Sequence, residues 1–355
     1  MTTKAAWGLD IGSSSINAVK MVSSNDEVRI TQFDICEIQD GNDETTRSQH
    51  VQVALNTLMS KQTMGYDPVY LSLPGSMCMF RMLELPIVPK YKLDQLVKFE
   101  AAVQLPIPIE QVEMAWERHD DADGFLTVIN LFVAPKNIID DILELTDVFK
   151  LNIQGIAPSP VALFNFGSYE YEPAEPTLLI NVDCKSTAFV VMNARRMYFD
   201  STQSKDRDSK LTLASRFNDP QTLGAEILNT IHKYEGLPNS QKIMQSYLLG
   251  YPFHIPGVPE MLAEQFCEIT LLHCKTLQRI RLDDSIKPEL WNAKFPAMSV
   301  AIGLSLQGLG LGALPANLIG ERRSNPGRLW VSALYNAVVC KLIALGLIEK
   351  VDTRD

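Results

Sequence analysis

The residues best placed to do chemistry lie in one short stretch near the N-terminus, Asp10-Ile11-Gly12-Ser13-Ser14-Ser15-Ile16-Asn17. An apolar run ends in a carboxylate, a glycine and three serines, and a second alternating run follows with no helix between. That pattern reads as a β-hairpin with a tight turn. Gly12 lets the backbone come close to a ligand. The N–H groups and hydroxyls of Ser13, Ser14 and Ser15 can point together at the oxygens of an anion such as phosphate. Asp10 stands where a carboxylate could hold Mg²⁺ through water. A plain hairpin turn rich in Gly and Ser would carry the same residue types.

The elements that must position this turn follow an α/β order. Residues 5–22 and 27–38 read as strands by alternation and β-branched content. Residues 51–61 read as an amphipathic helix with Val51, Leu55, Leu58 and Met59 on one face. A short strand at 69–73 ends at Pro74-Gly75, and residues 77–85 alternate until Pro86 closes them. A helix at 93–103 is stopped by Pro106 and Pro108. A buried strand at 125–134, a helix at 138–149 and a return strand from 152 follow. Residues 169–176 are polar and Pro-rich and read as a connection between lobes. Residues 178–182 and 188–192 form a second hairpin-like pair that echoes the first, as two lobes built on one repeated unit would. Residues 201–208 read as a solvated charged run. Beyond them come a helix at 223–234, a strand at 243–249 and helices at 260–266 and 298–306. A glycine-rich strip at 308–312 closes the series.

A chain of 355 residues suits two lobes of ordinary size. Its 46% hydrophobic and 21% charged content is that of a globular protein. A formal charge of −10 with no basic run argues against a nucleic-acid partner. The six cysteines have no Cys-x-x-Cys pairing, so free thiols in a reducing compartment are expected. Cys267, His273 and Cys274 are neighbours in sequence without metal-ligand spacing. Neither a nucleophile elbow nor a Walker loop is present in the sequence. Met1 to Trp7 leads into the first strand without a long apolar run, which reads as a cytoplasmic start. Residues 329–348 are apolar apart from Ser332, Asn336 and Lys341 and match the length of a membrane span. A central lysine costs about 2.5–3.5 kcal/mol on insertion. A packed or interfacial helix is therefore expected over a spanning one. Arg322, Arg323 and Arg328 suit the cytoplasmic side of a membrane.

The N-terminal turn resembles the first phosphate motif of the actin/Hsp70/sugar-kinase superfamily. Further on, Leu71-Ser72-Leu73-Pro74-Gly75, Glu84-Leu85-Pro86-Ile87-Val88-Pro89, the helix at 93–105 and Pro106-Ile107-Pro108 look like the inserted subdomain of its PilM-like branch. Members of that branch serve type IV pilus and type II secretion assembly. The resemblance covers roughly residues 5 to 320. It implies an α/β, actin-like (ribonuclease H-like) two-lobed fold with an inserted small α+β subdomain. The first lobe is expected at 1–78 and 156–175, the insert at 79–155 and the second lobe at 176–315. A partner-like segment and apolar helix would occupy 316–355.

The resemblance also implies an ATP–Mg site between two phosphate hairpins, with Asp10 reaching the metal. Several positions depart from the family. Asn17 stands where a lysine is usual, which removes a positive charge. In the second hairpin the family pattern is Asp-x-Gly-x-x-x-Thr. Aligning its threonine with Thr187 puts Asn181 at the aspartate and Asp183 at the glycine. A carboxylate about 4 Å from a phosphate costs on the order of 1–4 kcal/mol. The adenosine loop reads Gly250-Tyr251 instead of Gly-Gly, and the stretch between Phe199 and Gly224 is short, although Glu226 matches. The expectation is a weak or degenerate nucleotide site and no catalytic residues.

The family binds a short tail of the type Asn-Leu-Leu-Pro from an inner-membrane, PilN-like protein. Asn317-Leu318-Ile319-Gly320-Glu321 resembles that tail, as if scaffold and partner tail were fused. A loop followed by a surface helix is the other reading. The expected function is a cytoplasmic scaffold at the inner face of the membrane that docks such tails. A true ATPase and a membrane-tethered division-type filament remain the alternatives, and self-association is left open.

Overall fold

The computed structural model describes residues 3–25, 27–39, 44–120, 126–183, 186–193, 196–203, 220–237, 240–250, 258–266, 269–274 and 276–320. Two sheets carry the molecule. The first contains β1 (Lys4–Ile11), β2 (Ser15–Ser24), β3 (Glu27–Glu37), β4 (Val69–Leu73), β8 (Ile153–Pro158) and β14 (Arg281–Leu282). Their order is β14-β3-β2-β1-β4-β8. The second contains β9 (Thr177–Val182), β10 (Ser186–Asn193), β11 (Arg196–Gln203), β12 (Gln245–Leu249) and β13 (Thr270–His273), in the order β11-β10-β9-β12-β13.

The two orders are the same unit used twice. In each sheet an antiparallel meander of three strands is followed by parallel strands beside the first. A helix joins the third strand to the fourth in both: α1 (Glu44–Lys61) in the first and α5 (Pro220–Glu235) in the second. Among the described residues the next crossover in the second unit holds α6 (Val258–Gln265). In the first unit it holds an insert: β5 (Met79–Pro86), β6 (Val112–Asp120) and β7 (Leu126–Pro135), with α2 (Lys90–Gln104) and α3 (Lys136–Asp147). Leu93, Val97 and Ala101 recur on one face of α2 and pack on Leu83, Leu85, Ile129, Leu131 and Val133, giving the insert its own core. The molecule is an actin-like two-lobed α/β fold with a small α+β insert.

Two helices fill the space between the sheets: α4 (Ser159–Tyr171) and α8 (Ser299–Leu309). Both are buried nearly all round. Their backbones touch, because a Cβ on Gly303 would lie 1.8 Å from the carbonyl oxygen of Ala162. On its other side α8 lies against β1, where a Cβ on Gly8 would sit 1.9 Å from the Ala301 carbonyl oxygen. Glycine is required at both positions by close approach.

Several expectations need correction. Residues 281–319 were expected in the second lobe and the terminal segment, yet β14 pairs with β3 and α8 packs on β1 and β2. Trp291 of α7 (Pro288–Lys294) meets Phe33 of β3 edge-on at 5.0 Å. A helix as apolar as α8 needs covering surfaces on more than one side, and the interface between the sheets supplies them. The connection at 169–176 is less solvated than its composition implies. Its first residues complete α4, and the carboxylate of Glu170, 1% exposed, accepts backbone N–H groups of Gln278, Arg279 and Ile280. Residues 201–203 of the charged run belong to β11, and the rest of that run lies outside the described residues.

Candidate functional site: two facing hairpins

The turn between β1 and β2 is closed by Gly12 N–H donating to the Ser15 carbonyl at 2.9 Å. The turn between β9 and β10 is closed in the same way, Asp183 N–H to the Ser186 carbonyl at 2.9 Å. Ile11 pairs with Ile16, and Val182 pairs with Thr187. Position by position, Asp183 therefore stands where Gly12 stands and Asn181 where Asp10 stands. The register gives this equivalence directly, without any appeal to residue type. Thr187, 1% exposed, is the second residue of β10 and pairs with Thr202 of β11. Gly250 follows β12 at φ 99, and a Cβ there would lie 2.3 Å from the Val182 carbonyl oxygen, so this bend lies directly against the second hairpin.

The first turn is held from both sides. Arg47 on α1 donates to the carbonyls of Gly12 and Ser13, each at 3.0 Å. The Ser14 carbonyl accepts from Ile38 N–H at 2.8 Å. Across the cleft, Ser13 Oγ donates to Asp183 Oδ2 at 2.6 Å, and Ser13 N–H points at the same oxygen at 3.4 Å. The two hairpins thus touch through the Asp183 carboxylate. Asn17 turns its side chain inward: Nδ2 donates to Asp10 Oδ2 at 3.4 Å, and Oδ1 accepts from Ser15 Oγ at 3.1 Å.

Asp10 sits at the end of β1 beside Ser72 of β4, whose Oγ accepts Ile11 N–H at 3.1 Å. Burial pushes the Asp10 carboxyl up to about 6. A hydrogen bond from Ser72 opposes the rise, the Asp183 charge adds to it, and a bond from Asn17 opposes it again. Such a carboxyl could bind a cation, since a positive charge would restore the ionised form. Glu226 on α5 accepts from Thr202 Oγ1 at 2.8 Å and so reaches Thr187 through one strand. Tyr251 lies outside the described residues.

Arg47 and Ser72 were not singled out by sequence. Arg47 lies N-terminal to the periodic stretch at 51–61, so nothing tied it to the turn. Ser72 belongs to the Leu71-Ser72-Leu73 motif, whose polar centre between apolar neighbours was the available signal.

The partner-like segment is elsewhere, on the free edge of β8. Leu318 N–H donates to the Ile156 carbonyl at 2.8 Å. Asn317 Oδ1 accepts from Ile156 N–H and Ile319 N–H, and its Nδ2 donates to the Gln154 carbonyl, each at 3.1 Å. Leu314, Ala316, Leu318 and Ile319 are buried in the large core that joins the first lobe to the inner face of the second sheet. Residues 321–355, with the basic cluster and the apolar run, lie outside the described residues. Among the described residues no helix is long and apolar enough to cross a membrane, and no group of three or more potential metal ligands occurs.

No family model matches the sequence, and no curated protein matches it by sequence. Solved structures share the fold. A chain of the PilM-PilN type IV pilus biogenesis complex superposes with TM-score 0.67 at 18% identity, over 86% of this chain and 98% of that one. The cytoplasmic domain of EpsL, an inner membrane component of the Vibrio cholerae type II secretion system, gives TM-score 0.48 at 11% identity. It covers 89% of this chain and 98% of that domain. A protein with an actin-like ATPase fold from Bacteroides thetaiotaomicron gives TM-score 0.44 at 9% identity, over 76% and 91% of the two chains.

Proposed function

We propose that the chain is a cytoplasmic, actin-like scaffold of a type IV pilus or type II secretion assembly. It docks the short cytoplasmic tail of a PilN-like inner-membrane protein and does not hydrolyse nucleotide. The observation that carries the reading is the mismatch between the two hairpins. Gly12 and the serines offer donors to an anion, while the equivalent position of the facing hairpin carries Asp183 and the metal position carries Asn181. A protein that must close on ATP–Mg would need a small residue and a carboxylate there. The likeness to a chain of the PilM-PilN complex supports the assembly role. The residues that would contact ATP–Mg, if it binds, are Asp10, Gly12, Ser13, Ser14, Ser15 and Thr187, with Glu226 and Gly250 towards the base.

Arg47 favours a second reading. Its guanidinium is fixed at the first turn and supplies the positive charge that Asn17 lacks, which suits a genuine ATP-binding homologue. Tail binding separates the two. Anisotropy titration of a fluorescent PilN-like tail peptide should give the same affinity with and without ATP–Mg. Absence of binding, or binding only with ATP–Mg, would refute the scaffold reading in this form.

A further inference from the structure

We infer that Asp183 is an internal stand-in for a ligand phosphate, a carboxylate latch that fills the anion nest of the facing hairpin. Two donors of that nest, the Ser13 hydroxyl and N–H, already converge on one oxygen, Asp183 Oδ2. That oxygen approaches the Gly12 face of the turn, where a Cβ would lie 3.9 Å from it. The site is preorganised on both sides. Arg47 engages the Gly12 and Ser13 carbonyls and so fixes the Gly12–Ser13 peptide group, whose N–H points at Asp183. The Asp183 N–H closes its own turn on Ser186, which fixes where its side chain starts. A carboxylate accepting hydroxyl and amide hydrogens is the protein's own version of an anion bound in a backbone nest.

This contact joins residues 170 apart in sequence and bridges the two lobes. An intramolecular ligand of this kind is always present at the site, whatever the concentration of free anion. It therefore competes with free phosphate in two ways, by occupancy and by like charge. It also joins the two lobes directly, through the protein's own side chains. The inference deepens the weak-site part of the proposed function. It rests on the hairpin geometry and is independent of which tail the scaffold docks.

The test uses the full chain, inorganic phosphate and ATP–Mg as ligands, and amide hydrogen exchange as a second readout. Asp183→Gly empties the nest, and Ser13→Ala removes the principal donor while leaving the carboxylate. Exchange at residues 12–15 should rise by about tenfold in either variant, the signature of losing roughly 1.4 kcal/mol of local protection. Asp183→Gly should also gain at least about tenfold in phosphate or ATP–Mg affinity over the parent. Unchanged exchange in both variants would overturn the latch, as would phosphate protecting the parent's turn as well as it protects Asp183→Gly. If Asp183→Gly does not fold, Ser13→Ala and Asp183→Asn decide by exchange alone. A failure of the weak-site reading looks different: tight ATP binding by the parent that Asp10→Ala abolishes.

Discussion

The fold disfavours the charged form of Asp10. Its carboxyl titrates at about 6, because burial beside β4 outweighs the hydrogen bonds from Ser72 and Asn17, and the Asp183 charge adds to the rise. Between the ordinary value of 3.8 and about 6 the folded chain binds more protons than the unfolded chain. Stability therefore falls as pH rises through that window and stays lower above it. The shift corresponds to at most about 3 kcal/mol, and to less with the partial exposure of the site. Asp10→Asn is predicted to raise the neutral-pH melting temperature by about 2–6 °C. The gain should vanish at pH values below about 4, where the parent's carboxyl is protonated in both states. Thermal melts at the two pH values check it, and a lower neutral-pH Tm in the variant would contradict it. At this scale much was legible. The run from Asp10 to Ser15 advertised itself by type, and the alignment of Asn181 and Asp183 on Thr187 agrees with the strand register. What could not be read was Arg47, because a guanidinium that reaches two carbonyls of a remote turn leaves no local pattern.

Among the elements, the two hairpins were the easiest to foresee. Alternation and tight turns are short-range signals. Helix α4 was not foreseen, because a helix buried on every face has no amphipathic period to detect. Strand β11 was partly hidden by the polar residues at its end. Residues 317–321 were expected to form either a partner-like tail segment or a loop before a surface helix, with 314 and 315 in the second lobe. The segment 314–319 instead runs along the edge of β8 with its apolar side chains in the large core. Asn317 is the fastener, with three hydrogen bonds to Gln154, Ile156 and Ile319. Asn317→Ala is predicted to cost about 2–4 kcal/mol, since it removes these bonds and orphans backbone groups of a core-facing edge. Urea denaturation measures this, and a loss under about 0.5 kcal/mol would mean that burial of Leu318 and Ile319 holds the segment without it.

Across the whole molecule, the placement of 314–319 decides where the remaining chain departs. The described chain ends at Gly320 beside the β8 edge of the first lobe, and Arg322, Arg323 and Arg328 follow in sequence, outside the described residues. A truncation after Gly320 keeps the buried segment and is predicted to stay folded. The full chain should float with anionic liposomes and the truncated one should not, because residues 321–355 carry both the basic cluster and the apolar run. Equal flotation of the two would place membrane affinity in the lobes. The overall architecture was legible because one unit occurs twice and the motifs of the insert are spaced along the chain. The return of the last elements to the first sheet was not, because such long-range pairing is decided by burial between lobes.

The central claim is that this fold works as a scaffold with a nucleotide site blunted at Asn17, Asn181 and Asp183. Each such loss is worth one or two kcal/mol, and each 1.4 kcal/mol is about tenfold in affinity. Titration calorimetry of ATP–Mg into the full chain, beside its Asp10→Ala variant, tests this most directly. Binding weaker than about 100 µM is expected. Micromolar affinity in the parent, abolished by Asp10→Ala, would contradict it and put an ATP-driven homologue in its place.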